Sequence, residues 1–313
     1  MTWRELLLRF LVTVSAGSTA CEAATTLNVK TPAFIGRLYT PEAAPARPIG
    51  IVLIGGSEGH LFTADEIGPM LAARGYVVLG VDYNDGFAGP RLLRLVPIET
   101  FVNAVDWLRA SGRVDTTKVI VLGQSRGSEA ALLTAANTPS IAGVAAFVLS
   151  DVVWGSTQGD GASGWSLGGK PVPYVVKTKG DGDGVTAFAW AEARYPADGP
   201  ARIAVECTLG PVLLIGSNSD GAWPSGTMVR AVTSRLTLRH FAYPVTSLVF
   251  SQATHRVLGV GPSVASETYT YPGRSYIAKF GGMAAGTEAA RNQSWQLLLG
   301  WLNDFGARDH KRL

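Results

Sequence analysis

Apolar residues in this chain fall into short runs that alternate with longer amphipathic stretches. The run IGIVLIGG, residues 49–56, is rich in β-branched residues and is typical of a strand buried on both faces of a parallel sheet. Strict alternation of strand and helix predicts an α/β fold with a mostly parallel central sheet flanked by helices. Further strands are predicted at 76–81, 118–122, 144–149, 211–215 and 237–244, and helices at 65–74, 98–111, 128–137, 226–234 and 288–305.

Two segments depart from this alternation. Between Thr26 and Thr40 the hydrophobic residues alternate loosely around Pro32 and Gly36, which predicts two short antiparallel strands. From 155 to 200 the composition shifts to Gly, Ser, Asp and Pro with several tryptophans, and the periodicity disappears. This segment is predicted to be an irregular excursion over the edge of the sheet that forms a wall of the site.

The N-terminus has the pattern of a secretory signal peptide. Arg4 and Arg9 precede a short apolar run, which small residues follow. We predict a signal peptide over 1–23 and an α/β domain over 24–313, and export is favoured. If the segment is instead an amphipathic helix, the protein is cytoplasmic. No other segment offers about 18 consecutive apolar residues, so no transmembrane segment is expected.

Composition excludes several classes of protein. The chain has 27 basic and 24 acidic residues, a net charge of +3, and no long basic run, so nucleic acid is not expected as a partner. With 47% hydrophobic residues it can bury a sizeable core. Its two cysteines build neither a disulfide framework nor a metal site. Cys21 lacks the preceding large aliphatic residue of a lipid-attachment box, and Cys207 is predicted to be a small structural hydrophobe.

The main candidate for chemistry is the pentapeptide Gly123-Gln124-Ser125-Arg126-Gly127. It lies between an apolar strand and an Ala- and Leu-rich helix, which is the context of a nucleophile elbow. In such an elbow Ser125 occupies a strained turn, and the flanking glycines let the strand and helix backbones pass close to it. The alternative interpretation is a serine that caps the helix.

A nucleophilic serine needs backbone donors for the oxyanion that forms when it attacks a carbonyl. The Arg126 N–H, at the helix N-terminus, is the first candidate. The second is expected from the Gly-rich loop 55–59, where we assign Ser57, with Gly56 as the alternative. The competing interpretation of this loop is a plain glycine turn.

The chain has four histidines that could serve as the base: His60, His240, His255 and His310. His310 lies in a charged tail, and His240 lies in a predicted strand, where a structural role is more common. His60 follows the oxyanion loop and remains a rival. His255 follows the last predicted strand, where the serine, acid, histidine order of the α/β-hydrolase fold places the base.

The acid is expected in the loop that follows the strand 211–215. That loop ends in Asp220, whose carboxylate could orient the imidazole of His255 and stabilise its cation. A solvated turn aspartate is the alternative interpretation.

These motifs resemble the acyl-CoA thioester hydrolase / bile-acid-CoA:amino-acid N-acyltransferase family, in its C-terminal α/β-hydrolase domain, over about residues 34–305. The resemblance implies a triad of Ser125, Asp220 and His255, with Asp220 three residues before Trp223 as in the acid loop of the family. The stretches that carry it are IVLIGGSEGH, LAARGYVVLGVDY, LVPIETFVNAVDWL, VIVLGQSRGSEAALL and ARIAVECTLGPVLLIGSNSDGAWPSGTMV.

The chain departs from the pattern of that family in three ways. The N-terminal β-sandwich of the family has no counterpart. Its short Tyr-Pro-x-Ala-Gly-His segment is matched only by Tyr243-Pro244, and a longer path over 245–254 precedes His255. Members that transfer an acyl group to an amino acid tend to carry a cysteine nucleophile, so Ser125 favours hydrolysis.

Together these features predict a serine hydrolase that cleaves a small-molecule acyl ester or thioester through an acyl-enzyme, with no metal and no cofactor. Because CoA esters are cytosolic, export would argue against a CoA substrate. One alternative is an acyltransferase that passes the acyl group to an amine or alcohol. Another is a non-catalytic binding module on a hydrolase fold.

Overall fold

The structure is a computed structural model that describes residues 24–43, 48–83, 93–177, 184–271 and 274–308. The predicted signal peptide and His310 lie outside these residues. Within them, no helix is both long enough and apolar enough to cross a membrane.

The elements alternate along the chain much as the sequence predicts. The strands are β1 (Thr25–Lys30), β2 (Ile35–Thr40), β3 (Gly50–Ile54), β4 (Val77–Asp82), β5 (Val96–Pro97), β6 (Val119–Gln124), β7 (Val144–Phe147), β8 (Trp165–Leu167), β9 (Lys170–Pro171), β10 (Val212–Ser217), β11 (Val245–Phe250), β12 (Ser266–Tyr271) and β13 (Arg274–Lys279). The helices are α1 (Phe62–Ala72), α2 (Glu99–Ala110), α3 (Arg126–Asn137), α4 (Val185–Ala193), α5 (Ser225–Leu238) and α6 (Ala284–Ala307).

Eight strands form one central sheet in the order β1-β2-β4-β3-β6-β7-β10-β11. β2 runs antiparallel to both β1 and β4, while the pairs from β4 to β11 are parallel. This confirms the predicted α/β-hydrolase fold class. The carboxyl ends of the parallel strands lie at one edge of the sheet, which is where such folds collect their functional loops.

Alternate residues of each central strand face two separate cores. On β3, Val52 and Ile54 pack into the core that contains α2, α3 and α5. Ile51 and Leu53 pack into the core that contains α1 and α6. Burial on both faces explains why the sequence of this strand is continuously apolar rather than alternating.

The prediction of a last strand at 237–244 is wrong. Helix α5 continues to Leu238, and the strand at the sheet edge is β11, Val245–Phe250. Val232 and Leu236, four residues apart, are both buried and extend the helical face of α5. His240 is therefore not in a strand, but lies on an exposed turn with φ 51°.

The excursion predicted at 155–200 is more regular than its composition suggested. It contains the short strands β8 and β9, which form a small sheet with β5, and the helix α4. The hairpin of β12 and β13, between β11 and α6, was not predicted either. Cys207, predicted to be a small structural hydrophobe, is instead exposed at the end of a short 3₁₀ turn, where it packs into no core.

Candidate active site

Ser125 lies at the sharp turn between β6 and α3, at the carboxyl edge of the sheet. Its φ of 58° and ψ of −127° are strained for a residue with a side chain. A Cβ on Gly123 would lie 2.1 Å from the carbonyl oxygen of Gly127, and a Cβ on Gly127 would lie 2.1 Å from that of Gly55. The two glycines of the motif are thus required by backbone packing around the serine, as the spacing indicated.

The structure brings the serine, the predicted histidine and the predicted aspartate together. The Nε2 atom of His255 lies 2.7 Å from the Oγ of Ser125. Its Nδ1 atom lies 2.9 Å and 2.8 Å from the two carboxylate oxygens of Asp220. His255 and Asp220 are both buried. One imidazole therefore contacts both the hydroxyl and the carboxylate.

The Asp220 carboxylate is fixed by further donors. Its Oδ1 accepts hydrogen bonds from the backbone N–H groups of Ala222 (2.9 Å) and Trp223 (3.3 Å). Its Oδ2 accepts the hydroxyl of Ser225, at the start of α5, at 2.5 Å. Ser225 could not be singled out from the sequence, because a serine at a helix start is ordinary.

His255 is held by its backbone and by aromatic rings. Its N–H donates to the carbonyl of Phe280 at 2.8 Å. Its ring lies edge-to-face with Trp223, at 5.6 Å between centroids, and parallel to the Phe280 ring at 6.4 Å. The long path predicted over 245–254 is mostly the strand β11, so only four residues separate that strand from His255.

The rival histidines lie elsewhere. The Nδ1 of His60 lies 3.4 Å from Asp82, and its side chain is 40% exposed. Among the described residues, neither His60 nor His240 has a hydrogen bond to Ser125 or Asp220. Of the described histidines, His255 is therefore the one whose ring contacts the serine.

The loop after β3 offers backbone N–H groups beside the elbow. The N–H of Gly56 donates to the carboxylate of Glu58 at 2.9 Å. Burial raises the pKa of Glu58, while that bond opposes the shift. The hydroxyl of Tyr83 donates a hydrogen bond to the Gly56 carbonyl and so restrains the loop. Of the two predicted second donors, Gly56 is therefore already engaged, which favours Ser57.

A buried ion pair lies directly beyond Ser125 on α3. The Nε of Arg126 lies 2.9 Å from the Oε2 of Glu129. The Arg126 guanidinium also donates to the carbonyls of Trp154 and Gly155, both at 3.1 Å. The Oε1 of Glu129 accepts the Trp154 N–H and the indole N–H of Trp165, both at 2.8 Å. These contacts join the elbow helix to the excursion.

The charge state of Glu129 is set by its burial. Complete burial raises its pKa to about 7, although Arg126 and the two tryptophan N–H donors oppose the shift. Glu129 is not among the residues predicted from the sequence. Its only signal was the spacing of Arg126 and Glu129, which places the two on the same face of the elbow helix.

Phe188, on helix α4 of the excursion, is linked to the imidazole of His255 through the ring of Trp223. Phe188 on α4 lies edge-to-face with Trp154, at 4.8 Å between centroids, and with Trp223, at 5.8 Å. We call Trp154, Phe188 and Trp223 the aromatic wall. Because Trp223 also contacts His255, the wall connects helix α4 of the excursion to that imidazole.

Fold and site together define the protein as one of the α/β-hydrolase type. Residues 96–305 match the family described as BAAT / acyl-CoA thioester hydrolase, C terminal, and the chain belongs to that family. The resemblance noted in the sequence is thereby confirmed. No curated protein matches the chain.

Two of the solved structures that share the fold match almost the whole chain. One is a dienelactone hydrolase-like promiscuous phosphotriesterase from metagenomic libraries, and the other is a putative dienelactone hydrolase from Klebsiella pneumoniae subsp. pneumoniae MGH 78578. In each case the identity is 16%, the TM-score is 0.55, and the match covers 90% of this chain and 99% of the other.

Proposed function

We propose that the protein is a serine hydrolase that cleaves an acyl ester or thioester through an acyl-enzyme. Ser125 is the nucleophile, His255 the general base and Asp220 the orienting acid. The observation that carries this proposal is the 2.7 Å contact of Ser125 Oγ with His255 Nε2, while Nδ1 of the same ring faces Asp220. A base in reach of the nucleophile and itself held by an acid is the geometry that activates a serine.

The acylation step follows from these contacts. His255 Nε2 takes the hydroxyl proton as Ser125 Oγ attacks the carbonyl carbon of the substrate. The Asp220 carboxylate accepts the Nδ1–H, which selects the tautomer with a free Nε2 and stabilises the imidazolium. His255 then gives its proton to the departing oxygen or sulfur, and the alcohol or thiol leaves.

The oxyanion of the tetrahedral intermediate needs two donors. The Arg126 N–H belongs to the first residue of α3, directly after the nucleophile, where the helix dipole also favours negative charge. The Ser57 N–H is the second donor. Gly56 could serve only if Glu58 released its N–H.

Deacylation repeats the same steps with water. His255 takes a proton from a water molecule, the resulting hydroxide attacks the acyl-enzyme, and the proton returns to Ser125 Oγ as the acid leaves. Every proton in this scheme is moved by His255. Since the signal peptide predicted over 1–23 favours export, a carboxylic ester is a better candidate than a CoA thioester.

The test is labelling with a fluorophosphonate, combined with rates on esters and CoA thioesters of several acyl lengths. Ser125→Ala should lose both the label and turnover, while Ser234→Ala, at an exposed serine on α5, should keep both. Persistent labelling of Ser125→Ala would refute the nucleophile assignment. Unlabelled wild type would favour a binding module, and faster turnover with added amine or alcohol would favour an acyltransferase.

A further inference from the structure

The segment that joins β13 to α6, residues 280–283, contacts two loops of the candidate site. The first is the acid loop, residues 218–224 between β10 and α5, which carries Asp220. The second is the base loop, residues 251–255 after β11, which ends in His255. We call residues 280–283 the bridging segment, because its backbone is bonded to both loops.

A single carbonyl of the bridging segment connects the two loops. The oxygen of Phe280 accepts the N–H of Gly221 at 2.9 Å and the N–H of His255 at 2.8 Å. A carbonyl oxygen has two lone pairs, so one atom satisfies both donors. Gly221 directly follows Asp220 in the chain. The backbone beside the acid and the backbone of the base are therefore bonded to the same oxygen.

Further backbone contacts attach the bridging segment to each loop separately. Gly281 pairs with Asp220 in an isolated antiparallel bridge. The N–H of Met283 donates to the carbonyl of Gln252, in the base loop, at 2.8 Å. The bridging segment is thus paired with the acid loop at one residue and with the base loop at another.

Two glycines allow this close approach. Gly281 and Gly282 have φ angles of 74° and 68°, in the left-handed region that favours glycine. A Cβ on Gly281 would lie 2.3 Å from the carbonyl oxygen of Ser219, and one on Gly282 would lie 2.4 Å from the backbone nitrogen of Thr254. Both collisions are with backbone atoms, which cannot rotate away. A side chain at either position would therefore displace the acid loop or the base loop.

Thr287, in the first turn of α6, adds a side-chain link between the bridging segment and the base loop. Its Oγ1 accepts the N–H of Thr254 at 3.1 Å, and its hydroxyl donates to the carbonyl of Met283 at 2.8 Å. Thr254 directly precedes His255. One hydroxyl thus connects the residue before the base to the end of the bridging segment.

We propose that Gly281 and Gly282 are positioning residues, which hold Asp220 and His255 at the separation where Nδ1 meets the carboxylate. This inference rests on the proposed function, because the reaction needs that contact to select the tautomer with a free Nε2. Neither glycine touches a reacting atom. Their lack of a side chain lets the bridging segment approach both loops, and a displacement of either loop moves the acid or the base.

The first test replaces each glycine by alanine and measures steady-state kinetics on 4-nitrophenyl butyrate. We expect Gly281→Ala and Gly282→Ala to lower kcat about 100-fold with little change in KM, because a displacement of about 1 Å misaligns the base without removing substrate contacts. Gly112→Ala is the matched control and should keep the kcat of wild type. Gly112 follows α2 and has a φ of 70°, and a Cβ there would meet nothing within 4 Å, so this variant has the backbone strain without the collision.

A milder variant tests the same link if an alanine variant does not fold. Thr287→Val keeps the shape of the side chain and removes the acceptor of the Thr254 N–H, so kcat should fall about tenfold. Thr233→Val is its control, because the Thr233 hydroxyl donates to Val229 within α5 at 2.8 Å. The proposal is overturned if the folded glycine variants keep the kcat of wild type, if Gly112→Ala loses as much as they do, or if Thr287→Val loses no more than Thr233→Val.

A double-mutant cycle tests whether the bridging segment acts through the contact of acid and base. Asp220→Asn already removes the carboxylate from His255. Adding Gly281→Ala to Asp220→Asn should therefore lower kcat by about threefold at most, far less than Gly281→Ala does alone. Losses that multiply would show that the glycine acts elsewhere, and they would overturn the proposal.

A measurement without turnover separates this proposal from the proposed function. In protein with isotope-labelled histidine, the Nδ1 proton that His255 donates to Asp220 is strongly deshielded and resonates far downfield, and Asp220→Ala assigns it by its loss. The folded glycine variants should lose or shift this resonance, whereas Gly112→Ala should keep it. If wild type turns over no ester yet the glycine variants lose the resonance, the hydrolase proposal fails and the positioning role stands. If Ser125-dependent turnover is seen but the resonance is absent from wild type or unchanged in the glycine variants, the positioning role fails alone.

Discussion

At the scale of single residues, the candidate site is fixed mainly through its acid. Asp220 contacts His255 with both oxygens and also accepts the Ser225 hydroxyl and two backbone N–H groups. A carboxylate with this many donors has little freedom to rotate. The direction in which His255 points, and hence the reach of its Nε2, depends on that rigidity.

We expect Ser225→Ala to lower kcat about tenfold with little change in KM. The substitution removes a charge-assisted hydrogen bond from Asp220 Oδ2, an interaction of about 1.5–3 kcal/mol. The measurement is steady-state kinetics on a neutral ester at a temperature where circular dichroism shows both proteins folded. Ser219→Ala is the matched control, because the Ser219 hydroxyl donates instead to the carbonyl of Ser251 at 2.7 Å. Equal losses in the two variants would contradict the prediction.

The sequence was sufficient to select the three residues that the structure brings together. The glycines around Ser125 and the chain order of Ser125, Asp220 and His255 are local or ordinal features, which a sequence displays directly. The supporting residues could not be found in this way. Ser225 and Glu129 act across turns and between segments. A serine at a helix start is also an ordinary cap, and the spacing of Arg126 and Glu129 does not show that the glutamate is buried.

At the scale of elements, α3 is joined to the excursion by hydrogen bonds to a buried carboxylate. Glu129 on α3 accepts N–H groups from Trp154 and from Trp165 on β8. Glu129 and its ion-pair partner Arg126, which donates to the carbonyls of Trp154 and Gly155, thus connect two segments with no common sheet. The position of the aromatic wall relative to Ser125 depends on this connection.

We predict that titration of Glu129 makes the folded protein less stable as pH rises from about 4.5 to about 7. The pKa of Glu129 is about 7 in the folded state, whereas its ordinary value, which applies to the unfolded chain, is 4.5. The folded state therefore binds the proton more tightly. This contribution to the free energy of unfolding is fully present below pH 4.5. It is lost as pH rises through about 7, and the loss is about 3 kcal/mol at most. Glu129→Gln cannot titrate at this position and should show a flatter profile.

Urea unfolding of wild type and Glu129→Gln at several pH values between 4.5 and 8 measures this difference. The free energies of unfolding of the two proteins can differ by the same amount at every pH, because the glutamine amide of Glu129→Gln also faces Arg126. Only the difference in slope tests the prediction. Glu288→Gln, at an exposed glutamate on α6, should follow wild type. Parallel profiles for wild type and Glu129→Gln would show that Glu129 does not titrate in this range.

Elements were predicted well where burial imposes a clear period and poorly where it does not. The central strands β3, β6 and β10 are buried on both faces, so their apolar runs were unmistakable. β11 lies at the sheet edge and is only partly buried, and its apolar pattern is correspondingly weak. The β12–β13 hairpin pairs with no other strand of the described chain, so no core specifies its sequence.

At the scale of the whole molecule, the loop that follows His255 is held in place by the last helix. Arg291 on α6 is buried, and its guanidinium donates to the carbonyls of Arg256, Leu258 and Val260, at 3.1, 2.7 and 3.1 Å. It also pairs with Glu66 on α1 at 2.6 Å. The loop that follows His255 is therefore fixed to the layer of α1 and α6, on the face of the sheet opposite α3.

We expect Arg291→Met to lower both stability and kcat. Methionine fills similar space without donors, so three carbonyls that now face a guanidinium lose their partner, at about 1–3 kcal/mol for each one left unsatisfied. The loop after His255 should then loosen, and kcat on a neutral ester should fall at least tenfold while KM changes little. Thermal unfolding and kinetics measured well below the unfolding midpoint provide the two readouts.

Arg291→Lys separates these two effects. Lysine keeps the positive charge and can donate hydrogen bonds to some of the three carbonyls. Arg291→Lys should therefore be more stable than Arg291→Met and have a higher kcat. If Arg291→Met unfolds at a lower temperature but keeps the kcat of wild type, the loop is held well enough by Ser294, whose hydroxyl donates to Val257 at 2.6 Å. In that case α6 would position His255 through Ser294 rather than Arg291, and Ser294→Ala would then be expected to lower kcat.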